Sequence, residues 1–359
     1  MKTILCLIDG LGFGGAQRQL IGLVDLLNHK GYKVDIACYH ERHFYDQLLS
    51  DLKIEPIVLP AKGPIGKILA VKKLIQNNKY DTVITYLQGP NSIACILKAF
   101  RMNFRLLVSE RITNQNIDKK AFFRFQLYRF ADIIIPNSYS QKNFIDDNFR
   151  FLSGKTRTIT NFTDTEYFIP NSKYYPSECK QILVAGRIHT QKNIFRFIEA
   201  LSLLKNKNIR VKVDWYGDVG YGMESYNNEV QKKYTDSDIK ELITFHPGSK
   251  KILELYRQCD AFCLPSLYEG FPNVVCEAMS CGKPILCSDV CDNPHLVRDG
   301  ENGFLFNPKS SEDMAAAIMK FCDLDTEEII RMGECSRNRI IELCSTETFV
   351  QKYIKLIEE

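Results

Sequence analysis

Short apolar runs alternate with helical patterns along most of this chain, and the alternation starts twice. The first series opens with residues 2–8 and the second with residues 181–185. Continuous apolar runs are typical of strands buried on both faces, and strands that alternate with helices are typical of parallel, doubly wound sheets. Further strand-like runs lie at 32–39, 54–59, 82–86, 105–109 and 132–136, and then at 211–216, 260–265 and 284–288. The sequence therefore predicts two α/β domains of the same kind.

A polar stretch at residues 163–180 contains Pro170 and Pro176 and separates the two series, so we interpret it as the interdomain linker. The length of 359 residues also favours two domains. We place an N-terminal acceptor-binding domain at 1–165 and a C-terminal donor-binding domain at 166–340. We expect a C-terminal helix at 341–359 to pack back towards the N-terminal domain. Because ligands of such sheets bind at the carboxyl ends of the strands, two facing domains predict a central cleft.

The composition excludes some classes of protein. The small net charge of +4 argues against nucleic-acid binding, which usually needs a strongly basic face. The thirteen cysteines are odd in number, and several lie inside apolar runs, so we expect structural free thiols and no metal site. Free thiols indicate a reducing compartment. No signal peptide or membrane-spanning stretch is recognisable, and we predict a cytoplasmic protein.

A glycine-rich turn at residues 10–15 follows the first strand and opens a helix. It matches G-x-G-x-x-G, and Asp35 lies twenty residues after Gly15, which is the pattern of a dinucleotide-binding site. Asp35 lies in the middle of the second predicted strand, however, and the acidic residue of that pattern is needed at the strand's end. Three interpretations stay open: Gly14 and Gly15 contact a sugar or phosphate at the helix N-terminus, they only permit a tight turn, or the site binds a dinucleotide.

The second half carries a stronger site pattern at residues 267–279. A Gly-Phe-Pro turn follows the predicted strand 260–265, and Pro272 is suited to the first turn of a helix that ends near Ser280, with Gly282 beyond it. The backbone N–H groups near the start of this helix form an anion site for a diphosphate. We assign five residues of this segment to donor binding: Gly270, Phe271, Pro272, Asn273 and Val274. We expect the backbone N–H group of Val275 to point out of the helix N-terminus as well.

Two acids lie eight residues apart in this segment. Glu269 belongs to the turn and can reach the hydroxyls of a transferred sugar, and Glu277 belongs to the helix and can accept hydrogen bonds from a ribose diol. The alternative is that Glu269 is an ordinary surface acid and Glu277 an acid on an exposed helix face. Their setting in a strand, turn and helix favours the functional interpretation.

A second loop, at residues 186–193, follows the strand 181–185 and carries Arg187 and Lys192. Two cations can converge on one diphosphate, where they would stabilise the negative charge that develops on a leaving group. The alternative is two solvated loop cations. Gly217 and His246 follow other strands of this half, and we assign them to the walls of the base and sugar site.

At these residues the chain looks like a retaining glycosyltransferase of family 4, with the two-domain GT-B fold. The motifs that carry the resemblance are Gly14-Gly15-Ala16-Gln17, Gly186-Arg187 with Lys192, residues 269–279, Gly282-Lys283-Pro284-Ile285 and Asp299-Gly300-Glu301-Asn302-Gly303. The resemblance implies a nucleoside-diphosphate sugar donor and no metal or other cofactor. It implies that Arg187 and Lys192 hold the diphosphate, Glu277 the ribose and Glu269 the sugar, and that the Gly14-Gly15 loop closes over the donor.

Two features qualify the resemblance. Many members of the family have a His near the reacting sugar, where this chain has Ser109-Glu110-Arg111, so Glu110 or Arg111 takes that place in our prediction. Asp236-Ser237-Asp238 and Asp323-Leu324-Asp325 match the Asp-x-Asp metal motif of another transferase fold. Both lie beside helical patterns, where we expect helix capping instead.

Residues 119–130 mix basic and aromatic side chains. They include Lys119, Lys120, Phe122, Phe123, Arg124, Phe125, Tyr128, Arg129 and Phe130. A helix of this composition could contact an anionic membrane at its inner face, where a lipid-linked acceptor is held. The alternative is that the rings pack on the sheet and the basic groups are solvated.

We therefore predict transfer of a hexose or N-acetylhexosamine from a UDP-sugar to the hydroxyl of a glycan or lipid-linked glycan, with the anomeric configuration retained, in polysaccharide biosynthesis. A sugar-nucleotide epimerase or hydrolase on the same scaffold is the alternative, and a non-enzymatic sugar-nucleotide-binding protein is a third option.

Overall fold

The computed structural model describes residues 2–12, 14–40, 44–171 and 177–359. Phe13 of the glycine-rich turn and residues 172–176 of the predicted linker lie outside the described residues. The chain divides into two compact units, of which the first comprises Met1–Phe162 with Thr346–Glu359 and the second Thr163–Ser345. The first residues of the predicted linker are packed in the second unit, because Phe168 is buried and its carbonyl oxygen accepts a hydrogen bond from Arg337 Nη1 at 3.1 Å.

The first unit is built on a six-stranded parallel sheet in the order β3-β2-β1-β4-β5-β6. Its strands are β1 (Thr3–Leu7), β2 (Lys33–Cys38), β3 (Ile57–Val58), β4 (Thr82–Tyr86), β5 (Arg105–Glu110) and β6 (Ile133–Pro136). Its helices are α1 (Gly15–His29), α2 (Asp46–Asp51), α3 (Gly63–Asn78), α4 (Gln88–Ala99), α5 (Lys119–Leu127) and α6 (Tyr139–Asn148). Two 3₁₀ helices, Tyr128–Phe130 and Arg150–Lys155, follow α5 and α6.

The second unit repeats this plan in the order β12-β11-β10-β7-β8-β9, again with parallel strands. Its strands are β7 (Lys180–Ala185), β8 (Val211–Tyr216), β9 (Ile243–His246), β10 (Ala261–Leu264), β11 (Ile285–Ser288) and β12 (Gly303–Phe306). Its helices are α7 (Ile194–Asn206), α8 (Glu224–Asp236), α9 (Ile252–Gln258), α10 (Asn273–Ser280), α11 (Asn293–Leu296), α12 (Ser311–Cys322) and α13 (Thr326–Cys344). The last helix, α14 (Thr346–Glu358), contacts α1 and belongs to the first unit.

Each sheet is covered by apolar clusters on both faces, as the continuous apolar runs predict. In β1, Ile4 and Cys6 face the cluster that includes α1 and α14, and Leu5 and Leu7 face the opposite cluster. The prediction of two doubly wound parallel sheets is confirmed. The sequence prediction missed β12, of which it assigned only the first residue, Gly303, to a turn, and β3 is limited to two of the residues predicted at 54–59.

Local signals fix several helix ends. Asp325 is the N-cap of α13, where its side chain accepts a hydrogen bond from the Glu328 amide and Glu328 reaches back to the Asp325 amide. One acid of the sequence Asp323-Leu324-Asp325 therefore caps a helix, as predicted. Each of the thirteen cysteines is a free thiol. Among the residues that the structure describes, none of the helices combines the length and the apolar character needed to cross a membrane.

Candidate active site

The strand order of the second unit creates a switch point between β7 and β10. The chain adds β8 and β9 on one side of β7 and then returns to place β10 on its other side. The loops that leave the carboxyl ends of β7 and β10 therefore run towards opposite edges of the sheet and leave space between them, which is where ligands of open α/β sheets bind. Both motifs predicted from the sequence, residues 186–193 and 267–279, follow these two strands.

Hydrogen bonds join the two loops directly. The Leu267 amide donates to Gln191 O at 2.8 Å, and Gln191 Nε2 donates to Tyr268 O at 2.8 Å. Gln191 is thus the side chain that fixes one loop against the other. Gln191 lies within the predicted loop 186–193 but has no predicted role, because a glutamine in a loop carries no signal of a partner far along the chain.

The structure brings Lys192 and Glu269 together. Lys192 Nζ lies 2.6 Å from Glu269 Oε1, and their side chains are 15% and 12% exposed. Gly186 makes this approach possible, because a Cβ there would lie 3.1 Å from Lys192 Cε. Both side chains are therefore mostly buried beside the β7–β10 switch point, but a small part of each is exposed to solvent.

Arg187 is not brought into this pair. Its side chain is exposed, and none of the described residues forms a hydrogen bond or ion pair with its guanidinium. It follows Gly186 on the same loop, so its charge lies near the site without a fixed orientation. Convergence of Arg187 and Lys192 on one anion stays a prediction.

Helix α10 begins one residue later than predicted. Pro272 occupies the N-cap with extended backbone, and Asn273 is the first helical residue. The Pro272 carbonyl accepts hydrogen bonds from the amides of Val275 and Cys276 at 3.1 and 3.3 Å. The prediction that the Val275 amide points out of the helix towards an anion is therefore wrong, because that amide is bonded inside the first turn. The helix ends at Ser280 as predicted, with Gly282 in the left-handed region at φ +70°.

Glu277 lies in the second turn of α10 and is buried. The Tyr256 hydroxyl, from α9, donates a hydrogen bond to Glu277 Oε2 at 3.1 Å. Burial, and then the Glu277 charge, raise the pKa of Tyr256 well above its ordinary value, so this phenol stays a donor. Tyr256 is a residue that the sequence analysis missed, because its helix carries no motif. Phe271 is buried in the apolar cluster that covers this face of the sheet.

Gly217 and His246 have structural partners. A Cβ at Gly217 would lie 2.0 Å from Gly186 O, so only glycine permits the loop after β8 to pass this close to the loop after β7. His246 Nε2 lies 2.7 Å from Asp214 Oδ1, and its ring stacks on Tyr216 with centroids 4.4 Å apart. Both residues therefore support the loops at the carboxyl ends of β8 and β9.

In the first unit, Gly14 is the N-cap of α1 and Gly15 its first residue. The Tyr45 hydroxyl donates to Gly14 O at 3.0 Å. Asp35, the acid of the dinucleotide pattern, lies inside β2 opposite Leu5 and accepts a hydrogen bond from the Tyr80 hydroxyl at 2.5 Å. An acid held within the strand by a neighbouring phenol does not lie where a ribose would need it, which argues against the dinucleotide interpretation.

Glu110 ends β5 and is 1% exposed. Tyr128 donates to Glu110 Oε2 at 2.6 Å, and Arg124 Nε lies 3.4 Å from the same oxygen. Burial raises the pKa of the Glu110 carboxyl, and Arg124 and Tyr128 partly offset that increase. A direct contact between Glu110 and a substrate stays a prediction, and the geometry favours a supporting role.

Arg111, the alternative to Glu110, is held by four side chains of the first unit. Its guanidinium nitrogens donate to Ser109 Oγ, Asn161 Oδ1 and the hydroxyls of Tyr86 and Tyr353, at 2.6–2.9 Å. Tyr353 belongs to α14, so Arg111 ties the C-terminal helix to the end of β5. The Arg111 side chain is therefore held by residues of its own unit, as the Glu110 side chain is.

A cavity of about 1110 Å³ opens at the carboxyl ends of β1 and β2. Gly10, Gln17, Tyr39 and His40 are among its lining residues. Tyr39 is buried, and its hydroxyl has no hydrogen-bond partner among the described residues.

This fold and this site define a glycosyltransferase of the GT-B class. Residues 13–167 match the family model described as Glycosyltransferase Family 4, and residues 168–339 match the model described as Glycosyl transferases group 1. The chain belongs to glycosyltransferase family 4, as the motifs in its sequence indicate.

Several known proteins are similar to this chain, two of them over most of its length and one over less than half of it. It is 25% identical to the N-acetylgalactosamine-N,N'-diacetylbacillosaminyl-diphospho-undecaprenol 4-alpha-N-acetylgalactosaminyltransferase of Campylobacter jejuni, over 90% of this chain and 91% of that protein. It is 29% identical to the UDP-Gal:alpha-D-GlcNAc-diphosphoundecaprenol alpha-1,3-galactosyltransferase of Escherichia coli, over 44% of this chain and 40% of that protein. The crystal structure of Anabaena HepE in complex with UDP superposes with a TM-score of 0.85 at 22% identity and covers 100% of both chains.

Proposed function

We propose that this glycosyltransferase transfers a hexose or N-acetylhexosamine from a UDP-sugar to a hydroxyl of a lipid-linked glycan, with retention of the anomeric configuration and without a metal ion. The observation that carries the proposal is the Lys192–Glu269 pair at the switch point between β7 and β10, beside the start of α10. A cation and a helix N-terminus at this edge of the sheet can bind a diphosphate, and an acid beside them can bind the hydroxyls of a sugar.

The pair suggests how donor binding proceeds. Lys192 and Glu269 neutralise each other at 2.6 Å in this structure. An arriving diphosphate offers Lys192 a stronger anionic partner, and Glu269 is then released to accept hydrogen bonds from the sugar hydroxyls. Glu277, held by Tyr256, would accept hydrogen bonds from the ribose diol. The two acids thus bind opposite ends of the donor.

In the transfer step, the bond between the anomeric carbon and the diphosphate oxygen breaks, and its electron pair stays on the diphosphate. The acceptor hydroxyl oxygen forms the new bond on the same face of the sugar, and its proton passes to the leaving diphosphate oxygen. Lys192 and Arg187 stabilise the charge that develops there, so the residues of this chain supply the positive charge that a metal ion supplies in other transferases.

The names of the relatives support both the proposed class of donor and the proposed class of acceptor. The name of the Escherichia coli relative specifies a UDP-sugar donor and a diphosphoundecaprenol-linked acceptor, and that of the Campylobacter relative specifies a diphospho-undecaprenol-linked acceptor. HepE was crystallised with UDP and with UDP-glucose. We further propose that the acceptor sugar binds in the cavity at the ends of β1 and β2, whose lining includes Gly10, Gln17 and His40.

The test is an assay of the purified full chain with UDP-glucose, UDP-galactose and their N-acetylated forms, each with and without undecaprenyl-diphosphate-linked N-acetylhexosamine. We expect UDP release that depends on the acceptor, no loss of activity with EDTA, and an anomeric proton coupling in the product that matches that of the donor. Inversion would contradict the retaining mechanism. Epimerised sugar nucleotide or repeated release of free sugar without acceptor would favour the epimerase or hydrolase alternative.

A further inference from the structure

Four phenylalanine side chains are exposed on α5 and the two neighbouring 3₁₀ helices. Phe122 and Phe123 on α5 are 46% and 68% exposed, Phe130 is 40% exposed, and Phe151 is 48% exposed. We call these four residues the aromatic surface. Exposed apolar side chains that occur singly need no explanation, but a group of large rings usually marks a binding surface.

Ring contacts connect three of the four residues of the aromatic surface, Phe122, Phe123 and Phe151, through the buried Phe149. The rings of Phe122 and Phe123 lie 5.9 Å apart, and the buried Phe149 lies 6.4 Å from Phe122 and 6.2 Å from Phe151. Two segments that are distant in sequence, α5 and the 3₁₀ helix Arg150–Lys155, therefore form one patch. This second segment was not part of the sequence-based prediction for residues 119–130.

The opposite face of α5 is firmly packed, so the exposed rings do not result from a loose helix. Phe125 is buried and lies 4.6 Å from the ring of Phe149 and 5.4 Å from that of Tyr128. Arg124 is buried beside Glu110. One face of α5 therefore packs against the unit, as one of the two alternatives predicts, and the other presents Phe122 and Phe123 to the outside. Contact with a membrane stays a prediction.

Charge identifies the partner that fits this patch. Residues 119–130 and 150–157 contain seven Lys and Arg residues and no Asp or Glu. Arg124 and Lys155 are used internally, since Lys155 Nζ donates to the carbonyl oxygens of Arg129 and Ala131, which leaves five cations: Lys119, Lys120, Arg129, Arg150 and Arg157. Arg129 lies over the ring of Phe151 at 5.3 Å, so cations and rings are interleaved. Rings with a basic border match a surface that is apolar inside and anionic outside.

We propose that the aromatic surface and its basic border dock on an anionic lipid bilayer, with the four rings at the level of the headgroups and the five cations against lipid phosphates. This docking goes beyond the proposed transfer reaction, because it concerns a surface formed by α5 and the 3₁₀ helices rather than the donor site. It would hold the enzyme where a lipid-linked acceptor is embedded.

The experiment is flotation of the full chain with vesicles of phosphatidylcholine alone and of phosphatidylcholine mixed with phosphatidylglycerol. We expect flotation with the anionic vesicles, weaker binding at high salt, and little binding to the neutral vesicles. Replacing Phe122, Phe123 and Phe151 together by Ser should lower the partition coefficient about tenfold or more, and so should Lys119→Glu with Lys120→Glu.

The matched control is Ile330→Ser with Ile341→Ser, which removes exposed apolar side chains from α13, a helix with four glutamates. This variant should float like the parent, and all variants should bind UDP with unchanged affinity, which shows that they are folded and separates this test from that of the transfer reaction. The proposal is overturned if the parent does not float with anionic vesicles, if the Phe and Lys variants float as well as the parent, or if the control loses flotation equally.

Discussion

Two acid–cation pairs lie at carboxyl ends of parallel strands, one in each unit, and they differ in how tightly they are enclosed. Glu269 and Lys192 are 2.6 Å apart, with side chains 12% and 15% exposed, and they join two loops. Glu110 and Arg124 are 3.4 Å apart, with side chains 1% and 6% exposed, and they join a strand to a helix. The first pair can exchange partners with a ligand, whereas the second is enclosed by its own unit.

The difference shows that position at a strand end does not by itself expose an acid to a ligand. The Glu110 carboxylate is already satisfied by Tyr128, which in turn accepts a hydrogen bond from Asn91 Nδ2 at 2.8 Å. A buried network of this kind orients its neighbours within the unit. The loops of the second unit instead hold charges within reach of solvent, which is what a site for a charged ligand requires.

The largest expected effect is on stability. Glu110→Ala leaves Arg124 buried without its acid, and we expect the free energy of unfolding of the first unit to fall by about 3–5 kcal/mol. Urea denaturation measures this loss. Glu110→Gln, which keeps an acceptor for Tyr128, should lose less. If Glu110→Ala instead kept the parent's stability and abolished transfer, Glu110 would contact substrate and the comparison would fail.

The next effect is on catalysis. Lys192→Gln keeps a side-chain donor for Glu269 but removes the positive charge, and we expect kcat to fall about 10²–10³-fold with little change in stability. Lys205→Gln, at a surface ion pair outside the site, is the control and should leave kcat unchanged. A Lys192→Gln variant with the parent's kcat would show that this charge does not stabilise the leaving diphosphate.

The smallest effect sharpens the role given to Glu277. Tyr256→Phe removes the hydroxyl that donates to Glu277 Oε2 and keeps the aromatic ring. A hydrogen bond to a charged group contributes about 1.5–3 kcal/mol to the free energy of unfolding. Because a ribose would occupy other positions of the carboxylate, we expect UDP affinity to fall only a few-fold, as measured by calorimetry. A loss as large as that of a Glu277 variant would mean that Tyr256 itself contacts the nucleotide.

The fold was predictable because its signal is repeated. Apolar runs and helical patterns recur along the chain, so one weak segment such as β12 does not change the conclusion. The positions of the loops after β7 and β10 were predictable for a related reason, since glycine and proline mark turns at the ends of the predicted strands. Local patterns of this kind report on backbone geometry, which the sequence encodes locally.

The partners of these residues were not predictable. Glu110 is neutralised by Arg124, which the sequence assigned only to a basic, aromatic helix, because the pattern does not say which residues of α5 face inward. Tyr256 and Gln191 make their decisive contacts with residues far along the chain. Such contacts depend on how loops and helices pack, and no local periodicity or motif specifies that.

The most direct test of the central claim, that the loops after β7 and β10 bind the nucleotide sugar, is calorimetric measurement of the UDP dissociation constant for the parent and for Glu277→Ala, with Glu110→Gln as the control. Loss of charged hydrogen bonds to a ribose should weaken binding about tenfold or more in Glu277→Ala, while Glu110→Gln should bind like the parent. Equal UDP affinity in the parent and Glu277→Ala would contradict the account.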